Sequence, residues 1–221
     1  MSARVIAIDW SGAKKGAARK IWLAEFREGH PFSVPWNKRP PSQILEYLIG
    51  SCREHPKTII GIDFAFSFPA WFIAQKGCNT AEEMWECVAC NGENWLSECI
   101  DPFWGRSQKK NPRRPAQEQL RKTDSDFCGE DLCPKSIFQI GGAGAVGTGS
   151  IRGMWLLRQL RRKGFSIWPF HVDGWPRVVE IWPRANSVDF STATPGTARN
   201  PGLPCKARRH AQWSARQFRH R

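Results

Sequence analysis

Apolar positions in this chain gather into short unbroken runs that stop at a carboxylate. Val5-Ile6-Ala7-Ile8 ends at Asp9 and leads into Trp10-Ser11-Gly12. Thr58-Ile59-Ile60-Gly61-Ile62 ends at Asp63, with Pro69 closing the turn beyond it. Aliphatic residues without alternation predict strands buried on both faces, covered by helices and flanked by parallel neighbours. If the two strands are neighbours, Asp9 and Asp63 stand side by side at their mouths. A third run, Val178-Val179-Glu180-Ile181-Trp182-Pro183, sets Glu180 inside an apolar strand just before a proline.

Between these runs the pattern predicts further elements. Lys20 to Phe26 and Phe32 to Trp36 read as strands, the second at a sheet edge because Pro35 cannot donate to a ladder. From Ser42, a candidate N-cap, to about Glu54, the positions Ile44, Leu48, Ile49 and Cys52 follow helical spacing. Thr80-Ala81-Glu82-Glu83 has the form of a capping box before Met84, Trp85 and Val88, in a helix that Asn91-Gly92 is expected to end. Ser150 is read as the cap of a helix reaching Lys163. Arg158, Arg161, Arg162 and Lys163 suit the dipole at its end, and Gly164 supplies the exit. Phe165 to Phe170 and Arg177 to Trp182 complete the strands.

Composition narrows the classes. The 221 residues suffice for one well-packed domain, and nothing approaches the roughly 18 consecutive apolar residues of a membrane span. The 33 basic residues against 20 acidic leave +13, which favours a polyanionic partner, nucleic acid first, with a solvated basic surface as the plain alternative. Ser11-Gly12-Ala13-Lys14-Lys15-Gly16 after the first strand offers lysines to a phosphate or is simply a basic hairpin loop. Residues 106–115, with five positive charges, two prolines and no apolar side chain, are expected to form a mobile loop able to follow a nucleic-acid backbone. The last 34 residues, Val188 to Arg221, hold seven Lys/Arg and one Asp, so they contribute +6 of the net charge and show no hydrophobic periodicity.

The N-terminus has no basic segment followed by an apolar core, so the eight cysteines are read as reduced thiols of a cytoplasmic protein. Cys87-Val88-Ala89-Cys90, with Cys99, Cys128 and Cys133 downstream, invites a zinc reading. The second pair has four intervening residues, however, and the first lies in a helical pattern, so free thiols are favoured. Gly142, Gly144 and Gly147 spell a dinucleotide fingerprint out of its usual context. They are read instead as positions where backbone passes close to the acidic cluster or to substrate.

Carboxylates at adjacent strand ends raise one another's pKa, and a divalent cation removes that cost. Two or three of them holding Mg²⁺ or Mn²⁺ ions roughly 4 Å apart would activate water against a phosphodiester. A strand-end turn cap is the structural alternative for each Asp.

Four stretches carry a resemblance: Ala7-Ile8-Asp9-Trp10-Ser11-Gly12-Ala13, the segment Gly61 to Pro69, the segment Lys135 to Gly144, and Val179-Glu180-Ile181-Trp182-Pro183-Arg184. Over about residues 3 to 186 the chain resembles the domain-of-unknown-function family numbered 429, regarded as predicted nucleases. The resemblance implies an α/β, ribonuclease-H-like fold with a mixed five-stranded sheet flanked by helices and its first and fourth strands adjacent. It also implies a metal-dependent nuclease in which Asp9, Asp63 and Glu180 are catalytic and hold Mg²⁺ or Mn²⁺. Lys14, Arg121 and Arg184 would contact substrate, and Arg121-Lys122-Thr123-Asp124 resembles a basic-acidic element of the family.

The family continues into basic and then acidic helices, where this chain has its Arg, Ala, Pro, Gly and Thr-biased tail. We therefore expect a domain over 1–187 and a tail over 188–221 produced by a frameshift near Asn186. Such a product lacks a core helix and one carboxylate and is inactive or unstable. Sequencing the 3′ end of the gene in an independent isolate checks this, and an intact shared frame would overturn it. Two rival classes stay open: an actin-like ATP-binding phosphotransferase, which shares the topology, and a non-catalytic nucleic-acid-binding protein.

Overall fold

Six strands form one mixed sheet in the computed structural model, whose described residues are 4–27, 30–36, 38–128 and 133–183. In chain order the elements are β1 (Arg4–Asp9), β2 (Trp22–Arg27), β3 (His30–Trp36), α1 (Pro41–Glu54), β4 (Thr58–Ile62), α2 (Ala70–Gln75) and α3 (Ala81–Glu98). They continue with α4 (Ala116–Gln119), α5 (Lys122–Phe127), α6 (Gly147–Arg162), β5 (Ser166–Ile167) and β6 (Arg177–Glu180). The sheet order is β3-β2-β1-β4-β6-β5, antiparallel among the first three and parallel from β1 onward. Five strands are of four to seven residues, and β5, two residues of the strand read over 165–170, adds a sixth at the edge to the five that the resemblance implies. β3 lies at the other edge, where its proline requires no ladder partner.

The core sits on one side of this sheet. Ile6, Ile8, Ile60, Ile62 and Val178 occupy alternate positions of three neighbouring strands and are fully buried. Val5, Ala7, Ile59 and Val179, between them, are only half-buried. The unbroken aliphatic runs therefore do not mean burial on both faces here; coverage alternates along β1 although hydrophobicity does not. Helix α1 lies on the buried side. Arg4, in phase with Ile6 and Ile8, donates to the Ser51 carbonyl at 3.4 Å and the Tyr47 hydroxyl at 3.2 Å. Ile44, Leu48 and Cys52 make the inner face of that helix, and α6 packs against it with Ile151, Met154, Leu157 and Leu160 buried.

Three helix boundaries differ from the sequence pattern. Helix α1 begins at Pro41 without a side-chain cap, so Ser42 is already inside it. Thr80 does cap α3, accepting from the Glu83 amide at 3.2 Å, but α3 runs through Asn91-Gly92 to Glu98 and ends where Cys99 takes φ 50°. Gly92 is there for close packing: a Cβ would stand 2.7 Å from Ile151 Cγ2 of α6. Ser150 lies within α6 and is not its cap. Its hydroxyl donates to the Val146 carbonyl at 3.1 Å and accepts from the Ala65 amide at 3.0 Å, tying the start of α6 to the segment after β4.

The basic residues at the end of α6 have partners that sequence spacing could not name. Arg158 and Arg162 reach Glu86 at 2.5 and 2.8 Å, and Arg161 reaches Glu82 at 3.4 Å, across to α3. The expected mobile loop is also held. Arg106 donates to the carbonyls of Ile140 and Leu96, each at 2.9 Å, and to Thr148 Oγ1 at 3.2 Å. Arg114 pairs with Asp101 and, at 2.8 Å, with Glu118.

The glycine-rich stretch serves backbone crossings. A Cβ on Gly141 would meet the Gly105 carbonyl at 2.2 Å, and one on Gly147 the Ile137 carbonyl at 2.0 Å. Cys128 and Cys133, expected as thiols, are joined in a disulfide with Cα atoms 4.2 Å apart, while Cys52, Cys78, Cys87, Cys90 and Cys99 are free. No helix among the described residues is long and apolar enough to cross a membrane. The stretch around Asn186 and the tail 188–221 lie outside the described residues.

Candidate metal centre

Register brings the acidic residues together. β1 and β4 are parallel with Ile8 opposite Ile62, and the Asp63 amide donates to the Ile8 carbonyl at 3.0 Å, so Asp9 and Asp63 leave adjacent strands at the same level. β6 follows on the other side of β4, with Glu180 opposite Ile62, one step before Asp63. The three carboxylates thus come from three consecutive strands of the sheet, at their C-terminal ends.

Their surroundings differ. Neither Asp9 nor Asp63 accepts a hydrogen bond or meets a cationic side chain among the described residues. Burial pushes the Asp63 carboxyl up to about 6, and the charges of Asp9 and Glu180 push it the same way. Asp9, exposed at the strand end, is raised as well by the protein that partly desolvates it. Glu180, by contrast, is held. Its Oε2 accepts from the Phe66 amide at 3.0 Å and from Arg121 Nη1 at 2.7 Å, while Oε1 accepts from Arg121 Nη2 at 2.6 Å.

Arg121 is the hinge of this arrangement. Besides Glu180 it donates through Nε and Nη2 to Asp124, at 2.8 and 2.7 Å, and its own amide donates to Asp124 Oδ2 at 3.1 Å, closing the first turn of α5. Burial alone would disfavour the guanidinium charge, but its bonds to Glu180 and Asp124 hold it firmly protonated. Four of the five N–H donors of an arginine are therefore spent within the chain.

The loop after Asp9 is packed onto the start of α6. A Cβ on Gly12 would lie 2.4 Å from the Gly149 nitrogen, so only glycine allows the approach. Arg152 of α6 donates to the Gly12 carbonyl and pairs with Glu93 of α3 at 2.6 Å. Lys14 extends from this loop into solvent, 3.6 Å from the same Glu93. Of the expected substrate contacts, then, Lys14 stands beyond the mouth of β1, Arg121 is engaged with two carboxylates, and Arg184 lies outside the described residues. Sequence reasoning missed the Phe66 amide and the Arg152 anchor. A main-chain donor leaves no residue-type signal, and Arg152 is one of several arginines on α6.

Two unpaired carboxylates on adjacent strands are the oxygen donors a hard divalent cation prefers. Among the described residues no three His, Cys, Asp or Glu side chains converge as a metal cage. Comparison with family models, curated proteins and solved structures finds no match for this chain.

Proposed function

We propose that this chain is a metal-dependent phosphodiesterase of ribonuclease-H-like fold, acting on nucleic acid with Mg²⁺ or Mn²⁺. The observation that carries the reading is the Asp9–Asp63 pair: two carboxylates on neighbouring parallel strands, no cationic side chain against either among the described residues, and one pushed up to about 6. A divalent cation would relieve that repulsion, as protonation of one carboxylate does without it. Asp9 and Asp63 would hold the cation, which supplies activated water and neutralises charge on the phosphodiester. Glu180, fixed by the Phe66 amide and Arg121, would shape the acidic wall on the β6 side. Lys14, on a loop anchored by Arg152, would meet a backbone phosphate entering past Asp9.

Calorimetric titration of Mn²⁺ into the full chain tests the site without knowledge of its substrate. Saturable binding that is lost in Asp63→Asn is expected, together with oligonucleotide cleavage that Asp9→Asn abolishes while circular dichroism stays unchanged. Cleavage that persists in Asp9→Asn would overturn the assignment. Salt-dependent nucleic-acid binding without cleavage, indifferent to that substitution, would make the chain a binding protein instead.

A further inference from the structure

We infer that the nucleic acid is taken as a single strand, held by the cations of the β1–β2 connection and stacked through one base on the indole of Trp22 beside Asp9. This rests on the nucleic-acid reading above and names the form of nucleic acid that the site takes.

The register of the sheet sets the place. β1 and β2 are antiparallel with Asp9 directly opposite Trp22, and residues opposite one another in such a ladder project from the same face. The indole therefore stands next to the Asp9 side chain at the mouth of β1. Trp22 is 42% exposed, whereas Ile21 and Leu23 on either side of it are buried. Its ring makes no aromatic, cation–π or hydrogen-bonding contact among the described residues. The next pair on that face is Ala7 and Ala24, so the two strands raise only methyl groups beside the ring.

The second observation is charge. Between Asp9 and Trp22 the chain carries Lys14, Lys15, Arg19 and Lys20 and no Asp or Glu, and all four cations are exposed. Lys38, exposed as well, is tied to this connection by its amide, which donates to the Ala18 carbonyl at 2.6 Å. Of these five only Lys14 has an ion pair among the described residues, 3.6 Å from Glu93. They contrast with Arg106, Arg114 and Arg152, which hold other parts of the chain.

Positive charge leading to an open indole suits a single strand, with phosphates along the cations and a base face on the ring. In a duplex the base faces are covered by their neighbours in the stack, and the indole has nothing to receive. A base seated on Trp22 brings its own phosphate to the Asp9 side, where the metal reading puts the reaction.

Fluorescence anisotropy of a labelled single-stranded oligothymidylate tests this with the full chain, in EDTA so that neither metal nor cleavage enters. The expected result is tighter binding of the single strand than of a duplex of equal length, weakened about tenfold by Trp22→Ala and largely kept by Trp22→Phe. An oligonucleotide of the same length without bases separates stacking from structure, and it should bind the parent and Trp22→Ala alike. Lys15→Gln combined with Lys20→Gln should weaken binding of every probe and flatten its dependence on salt. Single-strand binding unchanged in Trp22→Ala, an equal loss on the abasic probe, or a preference for duplex would overturn the inference and leave the metal reading to the Mn²⁺ titration. No binding of any nucleic acid would overturn the inference together with the nucleic-acid reading beneath it. Stacking found in a chain that takes no Mn²⁺ would keep the inference and make the protein a single-strand binder. If Trp22→Ala does not fold by circular dichroism, the parent's preference for the base-bearing strand over the abasic one decides, and equal binding of the two overturns the inference.

Discussion

Two arginines with little exposed surface sit against carboxylates at opposite ends of the parallel strands, and the difference between them separates scaffold from site. At the start of β1, Arg4 and Glu25 are 8% and 4% exposed and form a one-to-one pair, with the Tyr47 hydroxyl and Ser51 carbonyl taking up further guanidinium hydrogens. Charge there is balanced, and no ligand is called for. At the other end Arg121 serves Glu180 and Asp124 while Asp9 and Asp63 stand unbalanced beside them. The same residue types make a closed structural contact in one place and leave two carboxylates without a cationic partner among the described residues in the other. What distinguishes them is a surplus of negative charge on carboxylates that accept no hydrogen bond among the described residues.

The sharpest way to break this comparison is at the closed end. Arg4→Met strands Glu25 in the core and is expected to cost roughly 3–5 kcal/mol in urea unfolding, whereas the double change with Glu25→Leu recovers most of it, because the pair is replaced as a unit. A single substitution with no loss would show that water reaches the pair.

At the open end the sign reverses. The Asp63 carboxyl titrates near 6 in the folded protein against about 3.9 when unfolded, so its ionisation costs stability. The cost is absent below about pH 4, grows as pH rises through about 6, and is complete above it. In metal-free buffer Asp63→Asn is therefore expected to be more stable than the parent at pH 7, by on the order of 1–2 kcal/mol after allowance for solvent screening, and no different at pH 4. Urea unfolding across that range reads the effect, and a stability gap independent of pH would contradict it.

The smallest effect lies on the helices. Glu86 meets Arg158 and Arg162 in a solvent-exposed cluster between α3 and α6, and Glu86→Gln should cost less than about 1 kcal/mol, fading further at high salt. A larger, salt-insensitive loss would mean that these charges act as the Arg4 pair does.

The cationic surface needs the same distinction. Arg106, Arg114, Arg152, Arg158, Arg161 and Arg162 all hold other parts of the chain. A net charge of +13 therefore overstates what the described body offers to a polyanion, and residues 188–221 carry +6 of it.

By itself the sequence determined the strands that end in Asp9 and Asp63, the edge position of β3 and the inward face of α1. These follow from runs of aliphatic residues, a proline and helical spacing, all of which are local signals. Only the tertiary structure decided that Gly92 continues α3, since the pressure for glycine comes from Ile151 of another helix. It alone decided that one sheet face is better covered than the other, because coverage depends on where helices land and not on the strand's own hydrophobicity. The division of the acidic centre into a satisfied pair and an unsatisfied one was likewise out of the sequence's reach. Arg121 and Glu180 are 59 positions apart, and nothing in either residue's neighbours along the chain states that a guanidinium from one will cap the carboxylate of the other.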